Sequence, residues 1–446
     1  MFPWGCQVII GRKFKAKFVD DASRSAYFTF SAAQMLVYNA SVEEARYFES
    51  FDRKFISSVP RPEVDQKYSH LIDFHVVPWV KSVPSGVYGV GAYLHYQAYR
   101  RFQKGLTSKP RVHPIKNADR HLLLTKSYFS IRKLKAQWYE LTFGSKSKQG
   151  GRVLFKAHQP FEMPVTVYVT CRQRALTVSF NFDDAQYPET DQEMADRLAM
   201  MDYEELLDKT LGVDRGVARK IQSSCGEHYE LLDIQQERIK RKQRGRKHYQ
   251  RILARRQKGS QNSRKMQRRV ARSFQYESNV RQDFAHQVSH RLAEQPDIEL
   301  FVFEDLNIKG MTAKPKARYD AKGRPLRNGA KAKAGLTKGI LGSAWAKTQA
   351  YLKYKARCRH KLVIEVPSAY TSQKCSHCGC TAKENRLSQS VFRCTRCQMT
   401  MNADENAALN IRQAGAWLVS QGQWSEKKVK RLLRVKSAKP TAHSVT

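Results

Sequence analysis

Residues 211–234 read LGVDRGVARKIQSSCGEHYELLDI. The pattern predicts a strand, a tight turn, a second strand, a turn at Cys225-Gly226-Glu227 and a third strand, an antiparallel meander. Two apolar strands follow, in ELFVFEDLN (299–307) and KLVIEV (361–366). Helical patterns separate them. Val280, Phe284, Val288 and Leu292 share one helix face, which Pro296 stops, and Leu341, Trp345, Thr348 and Leu352 mark another. The order β-β-β-α-β-α-β-α is the one an RNase H-like fold requires. Between the last two strands, residues 309–338 are Lys, Ala, Gly and Pro with little bulky apolar content and read as a loop.

Residues 367–415, PSAYTSQKCSHCGCTAKENRLSQSVFRCTRCQMTMNADENAALNIRQAG, hold two CxxC pairs, Cys375/Cys378 and Cys394/Cys397. A spacer of about fifteen residues between such pairs is that of a zinc ribbon. A CxxC turn sets two thiolates on one side of an ion that wants four soft ligands. Cys380 and His377, in the first knuckle, are rival ligands.

Acids stand at three informative places. Asp214 lies in the first strand between Gly212 and Gly216, Glu304 near the end of the fourth, and Asp404 in the first turn of the helix after the cysteines. Asp305 is a rival for the role of Glu304, because adjacent strand residues face opposite ways. Asn402 and Glu405 read as a capping box, which leaves Asp404 free. Ala407, Ala408 and Ile411 share the Asp404 face, and the alanines let that helix approach a sheet closely. Three carboxylates gathered together repel one another and call for cations. Two Mg²⁺ ions about 3.5–4 Å apart suit phosphodiester hydrolysis.

The 446-residue chain has room for two or three domains. It carries 80 Lys and Arg against 40 Asp and Glu, a formal charge of +40, which favours a polyanionic partner. From Arg238 to Arg272 there are 16 basic residues and no acid. The candidate nucleic-acid contacts there are Arg241, Lys242, Arg244, Arg246, Lys247, Arg255, Arg256, Arg264, Lys265, Arg268 and Arg269. No apolar run is long enough to span a bilayer, and the first residues lack the pattern of a signal peptide. Nine cysteines, an odd number, fit a reducing, intracellular compartment, expected to be a prokaryotic cytoplasm.

In the first half, residues 6–20 read as a strand. Helical spacing runs from about Ser31 to Leu123, with Tyr88, Tyr93, Tyr96, Tyr99 and Phe102 recurring as a bundle core or a base-stacking platform. From Gln137 the pattern alternates with period two, which reads as a small β-barrel or sandwich interrupted by the helices. The expected class is therefore multidomain α+β. It comprises an N-terminal β-barrel (1–25 and 124–185) with a helical insertion (26–123), an RNase H-like α/β domain (206–366 and 402–416) with an inserted zinc ribbon (367–401), and a basic tail (417–446).

GVDRG, FEDLNIKGM, YTSQKCSHCG and NADENAALNI, in this order, resemble the TnpB family of transposon-encoded RNA-guided nucleases and its relatives, the compact type V CRISPR effectors. RKMQRRVAR, FAHQVSHRL and LFKAHQPF fit the same family, and the likeness runs from about Phe155 to Gly415. It implies a RuvC nuclease site at Asp214, Glu304 and Asp404, and one Zn²⁺ on the four cysteines. It also implies that the β-domain is a wedge and the helical segment a recognition domain. Together these hold a guide RNA and read a short motif beside a double-stranded DNA target, the protein being a monomer with its RNA. Arg215 departs from the family pattern, where an apolar residue is usual, and Glu405 stands where a small or apolar one is frequent. The alternatives are a DDE-type transposase, whose product is a joined strand, and a catalytically weak RNA-guided DNA binder or repressor.

Overall fold

The structure, a computed structural model, describes residues 9–51, 71–114, 120–172, 175–183, 189–217 and 219–424. The basic tail from 425, the start of the first strand, residues 52–70 and 115–119 of the helical stretch, and 184–188 lie outside the described residues. The chain divides into two compact units, 7–186 and 187–446.

The first unit holds β1 (Ile9–Phe18), α1 (Asp21–Phe51), α2 (Ser85–Gln103), β2 (Arg120–Thr125), β3 (Phe129–Lys135), β4 (Trp138–Gly144), β5 (Gln149–Lys156), β6 (Thr166–Arg172) and β7 (Ala175–Asp183). The strands form one antiparallel sheet in the order β2-β6-β7-β1-β5-β4-β3. Period-two alternation sends Val167, Val169 and Cys171 of β6 inward. They join Phe14, Phe155 and Phe180 in a core that α1 completes with Tyr27, Phe30, Ala33 and Val37.

The expected barrel is not formed: the sheet is open, with β2 and β3 as its edges. Helix α1 occupies the edge that closure would need. Ser31 Oγ donates to the His121 carbonyl at 2.9 Å. The Gln34 amide donates to Leu123 O at 2.6 Å and accepts from Leu123 N at 3.1 Å. Side chains thus satisfy backbone groups of β2 that a closing strand would otherwise pair. At the other edge, Arg132, Lys133 and Lys135 of β3 place charge where a further strand would dock.

The second unit begins with α3 (Asp191–Ala199) and α4 (Tyr203–Asp208), then β8 (Thr210–Asp214), β9 (Ile221–Ser223) and β10 (His228–Tyr229). A hairpin of long helices follows, α5 (Asp233–Ala254) and α6 (Gln261–Ala293), then β11 (Leu300–Asp305). Next come α7 (Ile308–Met311), β12 (Arg318–Tyr319), β13 (Pro325–Leu326), α8 (Ala330–Ser343), α9 (Trp345–Arg357) and β14 (Leu362–Pro367). The last elements are β15 (Val391–Arg393), β16 (Thr400–Asn402) and α10 (Ala403–Ser420). The sheet order is β10-β9-β8-β11-β14, antiparallel through β8 and parallel from β8 to β14.

This sheet is covered on both faces, so its parallel strands are continuously apolar. Phe301, Phe303 and Val363 face α6 and α9 through Phe284, Val288 and Leu352. Leu300, Val302, Ile364 and Val366 face α10 and α3 through Ile411, Val419 and Met194. The segment expected as a loop at 309–338 instead carries a short hairpin and most of α8. Its alanines and lysines are good helix formers, and composition alone concealed that. The expected inserted zinc ribbon also needs correcting. The segment holds one short hairpin, β15–β16, two isolated bridges and a cluster of four cysteines, because turns and side-chain hydrogen bonds rather than strand ladders hold its backbone.

Candidate active site

Two glycines let α10 lie directly on the sheet. A Cβ at Gly212 would fall 2.1 Å from Ala408 O, and one at Gly415 would fall 2.2 Å from Val302 Cγ2. Nothing larger than hydrogen fits at either contact. This approach sets the first turn of α10 beside the ends of β8 and β11.

Asp214 is the last residue of β8 and Glu304 the last but one of β11. The strands are parallel with Val213 opposite Phe303, so both acids sit one step past that pair. Asp404 enters from α10, whose N-cap Asn402 accepts from Asp404 N at 3.0 Å and Glu405 N at 3.4 Å. Only the Asn402 half of the expected capping box is seen among the described hydrogen bonds. Gly216 adjoins the same place: a Cβ there would be 3.5 Å from Asp404 Oδ2.

The three acids feel one another. Asp214 is 9% exposed and Glu304 8%. Burial, then the charges of Glu304 and Asp404, push the Asp214 carboxyl up to about 7. Burial also raises Glu304, opposed by the Thr371 hydroxyl and by Arg215 and Arg386. It raises Asp404, opposed by Arg386 and Arg219. Two contacts were not read from the sequence. Thr371 Oγ1 donates to Glu304 Oε1, and Arg386 Nη2 stands 3.6 Å from Asp404 Oδ1. Both residues come from the cysteine segment, which Asn406 and Asn410 of α10 clamp by donating to Lys374 O at 2.8 and 2.7 Å. Asp305 is partly exposed.

The cysteine cluster fits a metal ion. Cys375, Cys378, Cys394 and Cys397 bring their sulfurs within 4.8 Å of one another, the sole such donor group among the described residues. The three carboxylates therefore do not make so tight a group. Cys375 and Cys397 sulfurs are 3.6 Å apart and Cys378 and Cys394 sulfurs 3.5 Å. Four thiolates about 2.3 Å from a tetrahedral zinc would be about 3.8 Å apart. The backbone N–H of Cys397 donates to Cys394 Sγ and leads the effects that draw that thiol down to about 6. Cys380 and His377 lie outside the group.

The basic run lies on the α5–α6 hairpin. Ten of its eleven candidates are exposed, and α5 buries no residue. Arg246 differs: it donates to the buried Glu277 at 2.6 Å and lies 4.0 Å from the Phe274 ring centroid. Arg281 holds the other Glu277 oxygen at 2.8 Å. Arg246 therefore locks the two helices together.

The chain is similar in sequence and fold to known proteins. Residues 193–314 match the family model described as "Probable transposase", and residues 345–411 match "Cas12f1-like, TNB domain". A "Putative RNA-guided DNA endonuclease InsQ" of Escherichia coli (strain K12) is 38% identical over 213 residues, 48% of this chain and 50% of that protein. A "Putative RNA-guided DNA endonuclease" of Streptomyces pristinaespiralis is 29% identical over 206 residues, 46% of this chain and 45% of its own. The chain thus spans about half the length of the curated relatives it matches. A solved Cas12f1–sgRNA–target DNA complex shares the fold at TM-score 0.54 and 12% identity, covering 89% of this chain and 83% of that one. Among the described residues, no helix is long and apolar enough to cross a membrane.

Proposed function

We propose that this chain, which belongs to the TnpB/Cas12f-like family, is an RNA-guided DNA endonuclease that cuts double-stranded DNA with Asp214, Glu304 and Asp404. The observation that carries the reading is the convergence of three carboxylates at neighbouring strand ends and a helix start, where burial first and then the charges of Glu304 and Asp404 push Asp214 up to about 7. A structural role does not account for gathering three acids whose carboxyls stay raised despite the cations beside them, in a protein of charge +40.

The donor set suits divalent metal: hard carboxylate oxygens, two of them buried and the third partly so, mutually repelling and set apart rather than packed on one ion. Two Mg²⁺ ions held there would activate water and stabilise the leaving oxygen of the phosphodiester. The chain's own residues do the placing. Thr371 fixes one oxygen of Glu304, and Arg386 stands against Asp404. One Zn²⁺ on the four cysteines would hold the segment that supplies both. The α5–α6 hairpin presents its exposed Arg and Lys to guide or target phosphates. We assign the open sheet to the wedge and α1 and α2 to the recognition domain, which together hold the guide RNA and read the target-adjacent motif, and the cell interior as the place of action.

The test uses the purified chain with its guide RNA and a matched duplex. Asp214→Ala, Glu304→Ala and Asp404→Ala should each remove most cleavage and leave guide and target binding intact, and combining them should add little, because they act as a unit. Full cutting by Asp404→Ala would move the third role to Glu405, and full cutting by Glu304→Ala would move the second to Asp305. A joined rather than free DNA end would favour a transposase.

A further inference from the structure

Arg215 follows the first acid, is 6% exposed and lies over Phe303, on the sheet face that packs against α6 and α9. It ends a polar chain that crosses that face. Nη2 donates to the Glu304 carbonyl, Nη1 donates to Gln349 Oε1 at 2.7 Å, and the Gln349 amide donates in turn to Glu365. The guanidinium carbon stands 5.5 Å from the Phe303 ring centroid. The strand register explains the need. Pairing of β11 with β8 ends at Phe303 opposite Val213, whereas β14 accompanies β11 to Asp305 opposite Pro367. Where the β8 ladder stops, the Arg215 side chain supplies a donor to the backbone of the second acid.

We propose that Arg215 is a positioning residue for the nuclease site: it fixes the end of β11 at Glu304 and ties it through Gln349 to α9 and through Glu365 to β14. The inference rests on the nuclease reading above. An apolar side chain here would fill the space over Phe303 but leave the Glu304 carbonyl without that donor. Misplacement of a catalytic group by about 1 Å costs on the order of 100-fold in rate. A planar guanidinium reaches the two acceptors from two fixed nitrogens, whereas an ammonium offers its three donors from a single nitrogen and reaches them less well.

The experiment compares wild type, Arg215→Met, Arg215→Lys and Glu304→Gln, each loaded with guide RNA, for single-turnover cleavage rate, target affinity and thermal unfolding. We expect Arg215→Met to cut at least 10-fold more slowly with unchanged target affinity, Arg215→Lys to recover part of the rate, and Glu304→Gln to be inactive. Wild-type rate in folded Arg215→Met, or no recovery with Lys, overturns the positioning role. If wild type itself does not cut while binding its target, the nuclease reading fails instead. Should Arg215→Met not fold, Gln349→Leu decides: a slower cut at unchanged affinity supports the proposal, and a wild-type rate overturns it.

Discussion

Replacing Asp214 by Asn should stabilise the metal-free protein while destroying its activity. Burial and the neighbouring acids hold the Asp214 carboxyl at about 7, against 3.8 for an ordinary aspartate. Because the folded-state value is raised, the folded protein binds this proton more tightly than the unfolded chain does. The stability so gained is fully present below about pH 4 and lost as pH rises through about 7. A gap of about 3 pH units is worth ~4 kcal/mol. Asn carries no charge and escapes that loss, although its buried amide needs partners. The expected net gain at pH 8 is therefore about 2–4 kcal/mol. The assay is urea unfolding of the full chain in chelator, wild type against Asp214→Asn, from pH 5 to 8.5. The difference between the two should grow with pH and level off above about 8, and added Mg²⁺ should narrow it by stabilising wild type alone. A difference that stays flat across the range would refute the argument, because Asp214 would then be charged throughout at no cost.

Four further outcomes follow from the same structure. Gly212→Ala drives a methyl into Ala408 O and should cost about 1–3 kcal/mol, with cleavage falling as α10 and Asp404 are displaced; melting and a cleavage assay read the two effects. Replacing Cys375 and Cys378 by Ser should remove bound zinc and destabilise the C-terminal third, seen by metal analysis and limited proteolysis; a folded, active sample with no zinc would dismiss the site. Neutralising Arg255, Arg256, Arg268 and Arg269 should flatten the salt dependence of nucleic-acid binding by roughly 0.7–0.9 per lost contact. Arg246→Ala should instead cost about 1–3 kcal/mol of stability through Glu277 and leave that slope nearly unchanged.

The strand–helix alternation of the second half was legible because its parallel strands are short, continuously apolar and spaced by amphipathic helices. The cluster of four cysteines was legible because two CxxC turns about fifteen residues apart can fold back to bring their sulfurs together. The open edge of the first sheet was not, since what replaces barrel closure is Ser31 and Gln34 of a helix about ninety residues from the strand they cap. Arg246 looked like any other cation of the basic run, and only the folded hairpin sets it against Glu277. Thr371 and Arg386 carried no signal beyond lying among the cysteines, because their partners, Glu304 and Asp404, arrive from separate elements. Alternating periods report which face is buried; they do not report which distant polar groups meet.

In the proposed function an RNA directs the three carboxylates of this chain to a DNA phosphodiester. The most direct measurement sequences the RNA that copurifies with the protein, then challenges the complex with a library of duplexes carrying the RNA-matched sequence beside randomised flanks, in Mg²⁺ and in chelator. RNA-directed cutting would give a bound RNA of defined sequence, Mg²⁺-dependent cutting of matched duplexes with a shared flanking motif, and no cutting of scrambled duplexes or by Asp214→Ala. Cutting that ignores the RNA sequence, or persists unchanged in Asp214→Ala, would contradict it.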